Sequence, residues 1–283
     1  MTARILSGVE VAAALRAEVS AAVAAHTGAM GLATVLVGDD PASHVYVSLK
    51  HAAAVAAGMV SIDRRLPATA TQAEVEAVVD ELNADPDVVG MIVQLPLPDG
   101  IDGDRVVERV DPGKDADGLH PLNLGRLVLG RPTVTPATPT GILRILDHYH
   151  IATVGALAVV VGRSFLVGRP LALMLGARGA DATVVQAHSR TAGLADLTRS
   201  ADLLVVAAGT PRLIGGGDVK PGATVIDVGT TRTESGLVGD VDFASVVEVA
   251  GAVTPVPGGV GPMTIASLLA NTVSLARQRR GSR

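Results

Sequence analysis

The sequence contains no cysteine and no tryptophan, and it has only two tyrosines and two phenylalanines. Without cysteine, the chain cannot form a disulfide, use a thiolate nucleophile or bind a metal through sulfur. Aromatic residues make up 1% of the chain, which argues against the stacking surfaces that bind single-stranded nucleic acids. These absences exclude disulfide-stabilised proteins and cysteine enzymes, and they make nucleic acid a poor candidate for a partner.

Strong positive charge and long hydrophobic runs are also missing. The formal net charge is -5 and no basic stripe is present, whereas proteins that bind a phosphate backbone carry clustered lysine and arginine. The apolar N-terminal stretch is interrupted by Arg16 and Glu18, unlike a signal peptide, and no run reaches the roughly 18 apolar residues of a membrane span. We therefore expect a cytoplasmic protein with neither a nucleic-acid nor a membrane partner.

What the chain does contain is alternating strand-like and helix-like segments rich in alanine, valine and leucine. Hydrophobic residues make up 48% of its 283 residues, enough for two domains, and the alternation predicts parallel sheets covered by helices. The predicted strands are residues 32–38, 60–66 and 88–98 in the first half, and 156–162, 182–188, 202–209 and 223–229 in the second. Between the halves, residues 111–141 form a long loop, and Thr138 is predicted to cap the next helix.

A dinucleotide-binding loop is predicted at VVVGRSFLVGRP, residues 159–170. The segment reads as a strand, a glycine turn and a helix start, and the N–H groups of a helix N-terminus can hold a pyrophosphate. The match to the glycine fingerprint is partial, because Ser164 and Val167 occupy two glycine positions and Gly168 stands one place late after Gly162. An ordinary strand-to-helix turn is the alternative.

The end of the following strand favours NADP over NAD. NAD sites usually place an acid there to bind the ribose 2′-hydroxyl. Here Asp181 precedes the strand, and HSRT, with Ser189 and Arg190, follows it. With Arg163 nearby, a corner without an acid can accept a 2′-phosphate.

In the first half, polar residues cluster at the predicted carboxyl ends of strands, where ligands collect in open α/β sheets. Tyr46 and Lys50 share one face of a helix because they are four residues apart. Gln94 follows the third strand, and Asp115 and Asp117 lie in the long loop. Each residue alone has an ordinary surface or turn explanation, but their joint placement predicts a site.

Distinctive segments run in a fixed order from Val37 to Thr272. They include VGDDPASHVYVSLK, VQLPLP, PGKDADGLHPLNLGRL, TPATPTGI, HSRT, KPGATVIDVG, GDVDF and TPVPGGVGPMTIASLLANT. Together they resemble the bacterial bifunctional methylenetetrahydrofolate dehydrogenase/cyclohydrolase family. The resemblance implies two activities at one site, in one-carbon metabolism and purine biosynthesis. One is NADP-dependent oxidation of 5,10-methylenetetrahydrofolate to the 5,10-methenyl cation, and the other is hydrolysis of that cation to 10-formyltetrahydrofolate.

The resemblance also implies roles for individual residues. Lys50 would be the main catalytic group of the hydrolysis, and Gln94 would hold it by a hydrogen bond. Tyr46 would pack on the folate ring system, and Asp117 would bind the donor edge of the pterin. The other folate contacts would be Val93, Leu95, Pro257, Gly258, Gly259, Val260 and Gly261, and the NADP contacts would be Gly162, Arg163, Ser164, Ser189 and Thr230.

At the level of domains, the resemblance implies an α/β folate-binding catalytic domain, residues 1–140 plus 264–283, and a Rossmann-like NADP-binding domain, residues 141–263. A cleft would separate them, and relatives are homodimers. No metal is expected, since nothing matches a metal-ligand spacing. Two other hypotheses are a dehydrogenase that has lost the hydrolase and a catalytically silent NADP-binding module. The retained Tyr46, Lys50 and Gln94 argue against the first, and the intact folate segments argue against the second.

The proton chemistry of Lys50 is left open by the sequence. Water must attack an amidinium-like carbon and lose a proton, and a desolvated lysine amine can act as base or proton shuttle. Because the helix around Lys50 is rich in alanine, we expect the amine to work partly in its neutral form. A lysine that keeps its charge and polarises the substrate is the alternative.

Overall fold

The computed structural model describes residues 2–234 and 236–281 of the chain. Its contacts divide the chain into two units. Unit 1 is Met1–Ala13 with Thr138–Thr264, and unit 2 is Ala14–Ala137 with Ile265–Arg283. In the described part of the chain, no helix has both the length and the hydropathy needed to cross a lipid bilayer.

Strands and helices alternate along most of the chain. The strands are β1 Arg4–Ile5, β2 Gly31–Val37, β3 Val60–Leu66, β4 Val88–Val93, β5 Leu157–Val161, β6 Thr183–Ala187, β7 Leu203–Val206, β8 Thr224–Asp227, β9 Thr231–Thr233, β10 Gly236–Val238 and β11 Ala252–Val253. The helices are α1 Gly8–Ala24, α2 Pro41–Ala56, α3 Gln72–Ala84, α4 Gly103–Arg109, α5 Pro121–Val128, α6 Ala137–His148, α7 Gly168–Leu175, α8 Leu194–Ser200, α9 Phe243–Val246 and α10 Val260–Gly281.

Unit 2 is built on a parallel three-stranded sheet with the order β3-β2-β4. Strands β2 and β4 are buried along their whole length, as their continuous apolar sequences require of strands covered on both faces. On β4, Gly90 allows α10 to approach closely, because a side-chain carbon there would lie 2.9 Å from the hydroxyl oxygen of Thr272. The last helix of the chain therefore packs on this sheet.

Unit 1 contains an all-parallel six-stranded sheet with the order β1-β11-β8-β7-β5-β6. Its core is made mostly of valine and alanine side chains, including the buried Val159, Val161, Val206 and Val225. Apart from β1 at the edge, chain order runs outward from β5 in both directions, so the order reverses between β5 and β7. Such a reversal opens a crevice at the carboxyl ends of the strands, which is where open α/β sheets bind ligands.

The predicted fold class, two α/β domains with parallel sheets, is confirmed. The details differ where local signals were weak. The strand predicted over 88–98 ends at Val93, α5 lies inside the predicted long loop, and Thr138 lies in the first turn of α6 instead of before it. The two-residue strands β1 and β11 and the β9–β10 hairpin were missed, because elements this short carry no measurable periodicity.

The start of the chain also differs from the predicted domain boundary. The prediction assigned residues 1–140 to the first domain, but Arg4 pairs with Ala252 and Ile5 with Val253 in the sheet of unit 1. Tyr149 reinforces this attachment, since its hydroxyl accepts a hydrogen bond from the Ser7 N–H at 3.0 Å. The assignment of functions to the two domains, and the cleft between them, stay predictions.

Candidate active site

Lys50 lies on the buried face of α2. The helix begins where Asp40 caps it by accepting a hydrogen bond from the Ser43 N–H at 2.8 Å, with Pro41 at the first position. Its buried residues are spaced three or four apart and are Ser43, Val47, Lys50 and Ala54. Tyr46 flanks this face and is half-buried. Lys50 is only 8% exposed, so its amine is withdrawn from bulk water.

Gln94 contacts Lys50 directly. The Lys50 Nζ donates a hydrogen bond to Gln94 Oε1 at 3.0 Å, and Gln94 Nε2 donates to the Leu95 carbonyl at 2.8 Å. The second bond fixes which way the amide faces, so that its oxygen is presented to the lysine. Gln94 follows β4 directly, and its own N–H donates to the Val35 carbonyl of β2 at 2.9 Å. The neighbouring Val93 is buried and Leu95 is half-buried.

Asp115 organises the loop that carries Asp117. Its Oδ1 accepts hydrogen bonds from the N–H groups of Gly118 and Leu119, at 3.0 and 3.1 Å. Its Oδ2 accepts from the His120 N–H and from Asn123 Nδ2, both at 2.8 Å. Because both oxygens of Asp115 accept hydrogen bonds from this loop, its role is structural. Asp117 is therefore the acid that can bind a ligand.

The charge of Lys50 acts on Asp117. Burial raises the pKa of Asp117 above the ordinary carboxyl value, the positive charge of Lys50 acts to lower it, and the charge of Asp115 acts to raise it. Hydrogen bonds from a ligand to the ionised carboxylate would lower the pKa again. The arrangement therefore favours a ligand that presents N–H donors to Asp117.

Two residues that shape this region were not singled out from the sequence. Asn271 on α10 donates through Nδ2 to the carbonyls of Ala116 and Thr135, both at 2.9 Å. Lys114 is buried, and its Nζ donates to three backbone carbonyls, those of Leu82, Asn83 and Asp85 at 2.8, 2.6 and 2.7 Å. Both lie in segments that carried the family resemblance, which was the only signal that could have found them.

The predicted dinucleotide loop forms a tight turn at the carboxyl end of β5. Gly162 has φ +136, and a side-chain carbon there would collide with the Ala207 carbonyl oxygen. A side-chain carbon at Gly168 would collide with the Gly162 carbonyl, so Gly168 supplies the close helix–strand contact of the fingerprint although it stands one place late. Ser164 closes the turn, since its hydroxyl accepts from the Val167 N–H at 3.2 Å.

The register of β5 and β6 places Arg163 and Ser189 at the same edge of the sheet. Val161 pairs with Ala187. These are the last residues of β5 and β6, and Arg163 and Ser189 each lie two positions beyond them. Both are exposed. Asp181 lies at the opposite end of β6, where its carboxylate accepts a hydrogen bond from the Gly179 N–H at 3.0 Å. The corner beside the dinucleotide loop therefore has no contribution from Asp181.

The remaining predicted residues also lie in unit 1. Thr230 is exposed just beyond the carboxyl end of β8. The loop from Pro257 to Gly261 ends in the first turn of α10, and the Gly258 carbonyl accepts a hydrogen bond from the Gly8 N–H at 2.9 Å. The loop therefore belongs to unit 1, whereas Lys50, Gln94 and Asp117 belong to unit 2. A joint folate site that includes this loop stays a prediction.

Two family models match the chain. The catalytic domain of tetrahydrofolate dehydrogenase/cyclohydrolase matches residues 6–117, and the NAD(P)-binding domain of the same family matches residues 136–280. The chain belongs to the tetrahydrofolate dehydrogenase/cyclohydrolase family. This confirms the resemblance seen in the sequence.

Individual relatives of this family are similar over the whole chain. Bifunctional protein FolD of Acidiphilium cryptum is 56% identical over 281 residues, which cover 99% of this chain and 100% of the relative. The crystal structure of the bifunctional FolD from Campylobacter jejuni has a TM-score of 0.93 and 44% identity, covering 97% of this chain and 99% of that one. The Trypanosoma brucei FolD, solved with NADP cofactor and an inhibitor, has a TM-score of 0.94 and 38% identity, covering 99% of both chains.

The two matched domains of the family divide the candidate residues. The catalytic-domain match contains Tyr46, Lys50, Gln94 and Asp117, and the NAD(P)-binding match contains the dinucleotide loop, Ser189 and Thr230. Within the described residues, no three side chains of the metal-binding types lie close enough together to hold a metal ion.

Proposed function

We propose that this protein is a bifunctional enzyme that oxidises 5,10-methylenetetrahydrofolate with NADP and hydrolyses the resulting 5,10-methenyl cation to 10-formyltetrahydrofolate. One observation carries the proposal. Within a chain of this family, Lys50 is buried, is held by Gln94 at 3.0 Å and lies within electrostatic reach of Asp117.

A comparison of two buried lysines supports a catalytic role for Lys50. A lysine ammonium has three N–H donors. The Lys114 Nζ donates to three backbone carbonyls, so its donors are fully used for structure. Among the described residues, the Lys50 Nζ donates one hydrogen bond, to Gln94. Lys50 therefore keeps capacity to interact with a substrate or with water.

In the hydrolysis, Lys50 handles the proton of the attacking water. Water adds to the methenyl carbon and loses one proton to the neutral amine. The hydroxyl of this adduct then loses its proton and becomes the formyl C=O on N10, while the C–N5 bond breaks and N5 takes up a proton. The Gln94 amide keeps the Lys50 Nζ in one position during these steps, because its orientation is fixed by the bond to the Leu95 carbonyl.

Substrate recognition falls to the residues around this pair. The Asp117 carboxylate can accept two hydrogen bonds from the donor edge of the pterin, and Tyr46, Val93 and Leu95 offer apolar surface to the folate rings. The backbone of the loop from Pro257 to Gly261 would press on the folate. These assignments rest on the family resemblance.

The oxidation depends on a bound cofactor. NADP bound to unit 1 would supply the acceptor for the hydride that leaves the methylene carbon of the substrate. The residues of unit 1 fit it, because the Gly162 turn leaves no room for a side chain and faces the crevice where strand order reverses. We assign Gly162, Arg163, Ser164 and Ser189 to the cofactor phosphates and Thr230 to its nicotinamide side. Preference for NADP over NAD follows from the exposed Arg163 and from Asp181 lying at the wrong end of β6.

The enzyme would act as a cytoplasmic homodimer in one-carbon metabolism that supplies purine biosynthesis. The outer strand β3 supports a dimer, since an edge strand presents backbone hydrogen-bonding groups that a second copy can pair with. Exposed valines lie close to it in the chain, with Val55 at the end of α2 62% exposed and Val60 on β3 49% exposed.

The decisive experiment separates the two activities in one protein. Lys50→Met should abolish methenyltetrahydrofolate hydrolysis, which is measured as the loss of methenyl absorbance. NADP reduction, measured at 340 nm, should stay detectable in the same variant. Lys220→Met removes an exposed lysine that pairs with Asp202 at 2.6 Å and should leave both rates within about twofold of wild type. Equal loss of both activities in Lys50→Met would contradict the assigned division of labour. A wild-type protein that does not reduce NADP with methylenetetrahydrofolate would contradict the proposal as a whole.

A further inference from the structure

Two buried acids in unit 1 have no role in the site described so far. Asp240 is 0% exposed and Asp227, the last residue of β8, is 3% exposed. A buried carboxylate is costly unless hydrogen bonds compensate for the water it loses. Both acids form such bonds, and in both cases the donors are backbone N–H groups at the carboxyl edge of the sheet.

Asp227 holds the segment that leads to Thr230. Its Oδ1 accepts from the N–H groups of Gly229 and Asp240, at 3.0 and 2.9 Å, and its Oδ2 accepts from the Val241 N–H at 3.1 Å. The fit is tight, because a side-chain carbon at Gly239 would collide with Asp227 Oδ2. Asp227 thus ties the segment after β8 to residues 239–241.

Asp240 holds the segment after β7. Its Oδ2 accepts from the N–H groups of Ala208 and Gly209, at 2.7 and 2.8 Å. Its Oδ1 is buried and has no hydrogen-bond partner among the described residues. The two carboxylates therefore use three of their four oxygens to hold two neighbouring segments of backbone in place.

These segments border the dinucleotide loop. The Ala207 N–H donates to the Val161 carbonyl at 2.7 Å, and the Ala207 carbonyl lies against Gly162 so closely that no side chain fits between them. A shift of the segment held by Asp240 would therefore move the wall of the Gly162 turn. Asp227 acts in the same way on Thr230, one residue beyond the Gly229 N–H that it binds.

We propose that Asp227 and Asp240 are positioning residues that set the backbone bordering the nicotinamide side of the bound NADP. The inference rests on the proposed dehydrogenase function. The acids do not touch the cofactor themselves. They fix Gly209 and Thr230 before NADP arrives, which lowers the ordering cost of binding.

The test compares NADP affinity with hydrolase activity in matched variants. Asp240→Ala removes the acceptor that holds the Ala208 and Gly209 N–H groups in place. It should therefore raise the NADP dissociation constant about tenfold or more. Asp240→Asn should restore affinity to within about twofold, because the amide oxygen can replace Oδ2 while the NH₂ takes the place of the unpartnered Oδ1. Asp227→Asn should weaken NADP binding by about fivefold or more, because both of its oxygens accept from N–H groups and an NH₂ must then face a donor. Methenyltetrahydrofolate hydrolysis without NADP should change by less than about twofold in all three.

A control at the opposite edge of the same sheet separates positioning from stability. Asp202 accepts from the Leu157 N–H at 2.9 Å at the amino ends of β5 and β7, so Asp202→Ala should lower the melting temperature without changing NADP affinity. The inference is overturned if Asp240→Ala binds NADP like wild type, or if hydrolysis falls in parallel with affinity. If Asp240→Ala does not fold, equal NADP affinity of Asp227→Asn and Asp240→Asn would overturn it. Wild-type protein that fails to bind NADP would contradict the proposed function instead.

Discussion

Lys50 and Lys114 show how the same residue type takes opposite roles according to its acceptors. Both are buried, but Lys114 is saturated by the carbonyls at the end of α3, whereas Lys50 is anchored through the Gln94 amide. A lysine whose three N–H donors are all bound to carbonyls serves to hold the backbone. A lysine with one hydrogen bond keeps donors free to interact with a substrate or with water. The sequence suggested Lys50 through its spacing from Tyr46, but it could not separate the two lysines by burial.

Asp227 carries a pH prediction at the residue scale. Burial raises the pKa of Asp227 to about 6. Hydrogen bonds from the N–H groups of Asp240, Val241 and Gly229 act in the opposite direction, but burial is the larger effect. A carboxyl with a higher pKa in the folded state binds its proton more tightly there, so its contribution to stability falls as the pH rises from about 4 to about 6. Across this pH range, the contribution of Asp227 to the free energy of unfolding falls by about 3 kcal/mol.

Chemical denaturation of wild type and Asp227→Asn across this pH range checks the prediction. The stability advantage of wild type over the variant should be larger near pH 4 than near pH 7. Asp202→Asn is the control, because hydrogen bonds from Lys220 and Leu157 lower the pKa of Asp202, and its contribution is lost only below the ordinary carboxyl pKa. The difference between wild type and Asp202→Asn should therefore stay nearly constant above pH 5. A wild-type advantage over Asp227→Asn that grows with pH would refute the raised pKa.

At the scale of elements, α10 both packs on the sheet of unit 2 and holds the loop that carries Asp117. It packs on β4 where Gly90 provides space. Through Asn271 it also holds the backbone at Ala116, next to Asp117, and at Thr135. A helix from the C-terminus thereby fixes a loop in the middle of the sequence. The family resemblance included this segment, but no local pattern shows that its asparagine reaches that loop.

Asn271→Ala should therefore affect both stability and substrate binding. Loss of the Nδ2 donors leaves two carbonyls short of a partner and should cost about 1–3 kcal/mol of unfolding free energy. It should also raise the KM for the folate substrate with little change in the KM for NADP, since the loop it releases carries Asp117. Denaturation curves and steady-state kinetics measure the two effects.

Gln278→Ala on the same helix is the matched control. The Gln278 Nε2 donates to the Thr133 carbonyl at 3.0 Å from an exposed position. The substitution should therefore lower the free energy of unfolding by less than about 1 kcal/mol. The folate KM should not change. If the two variants raise the folate KM equally, the anchoring role of Asn271 is wrong.

At the scale of the whole molecule, each unit has its own parallel sheet and its own valine-rich core. The candidate hydrolytic residues lie in one unit and the dinucleotide turn lies in the other. This separation is why variants at the dinucleotide turn are expected to spare the hydrolysis, which needs no NADP.

The proposed homodimer gives a prediction at the same scale. Val55→Asp combined with Val60→Asp places charge next to the outer strand β3 and should convert a particle of twice 28.5 kDa into one of 28.5 kDa, measured by light scattering after gel filtration. Val154→Asp alters a valine that is 70% exposed in unit 1 and should leave the mass unchanged. A monomeric wild type, or a double variant that stays dimeric, would contradict an interface at β3.

By itself, the sequence determined the fold class, the family and the residue types of the candidate site. Hydrophobic periodicity and turn residues act locally, so long strands and helices were predictable, and distinctive segments such as KDADGLHP carried the family. Tertiary structure decided what depends on distant contacts. These include the pairing of Arg4–Ile5 with β11, the saturation of Lys114, the hold of Asn271 on the Asp117 loop, and the burial of Asp227 and Asp240. Such features depend on contacts between residues far apart in the sequence, and hydrophobic periodicity and turn residues carry no information about those contacts.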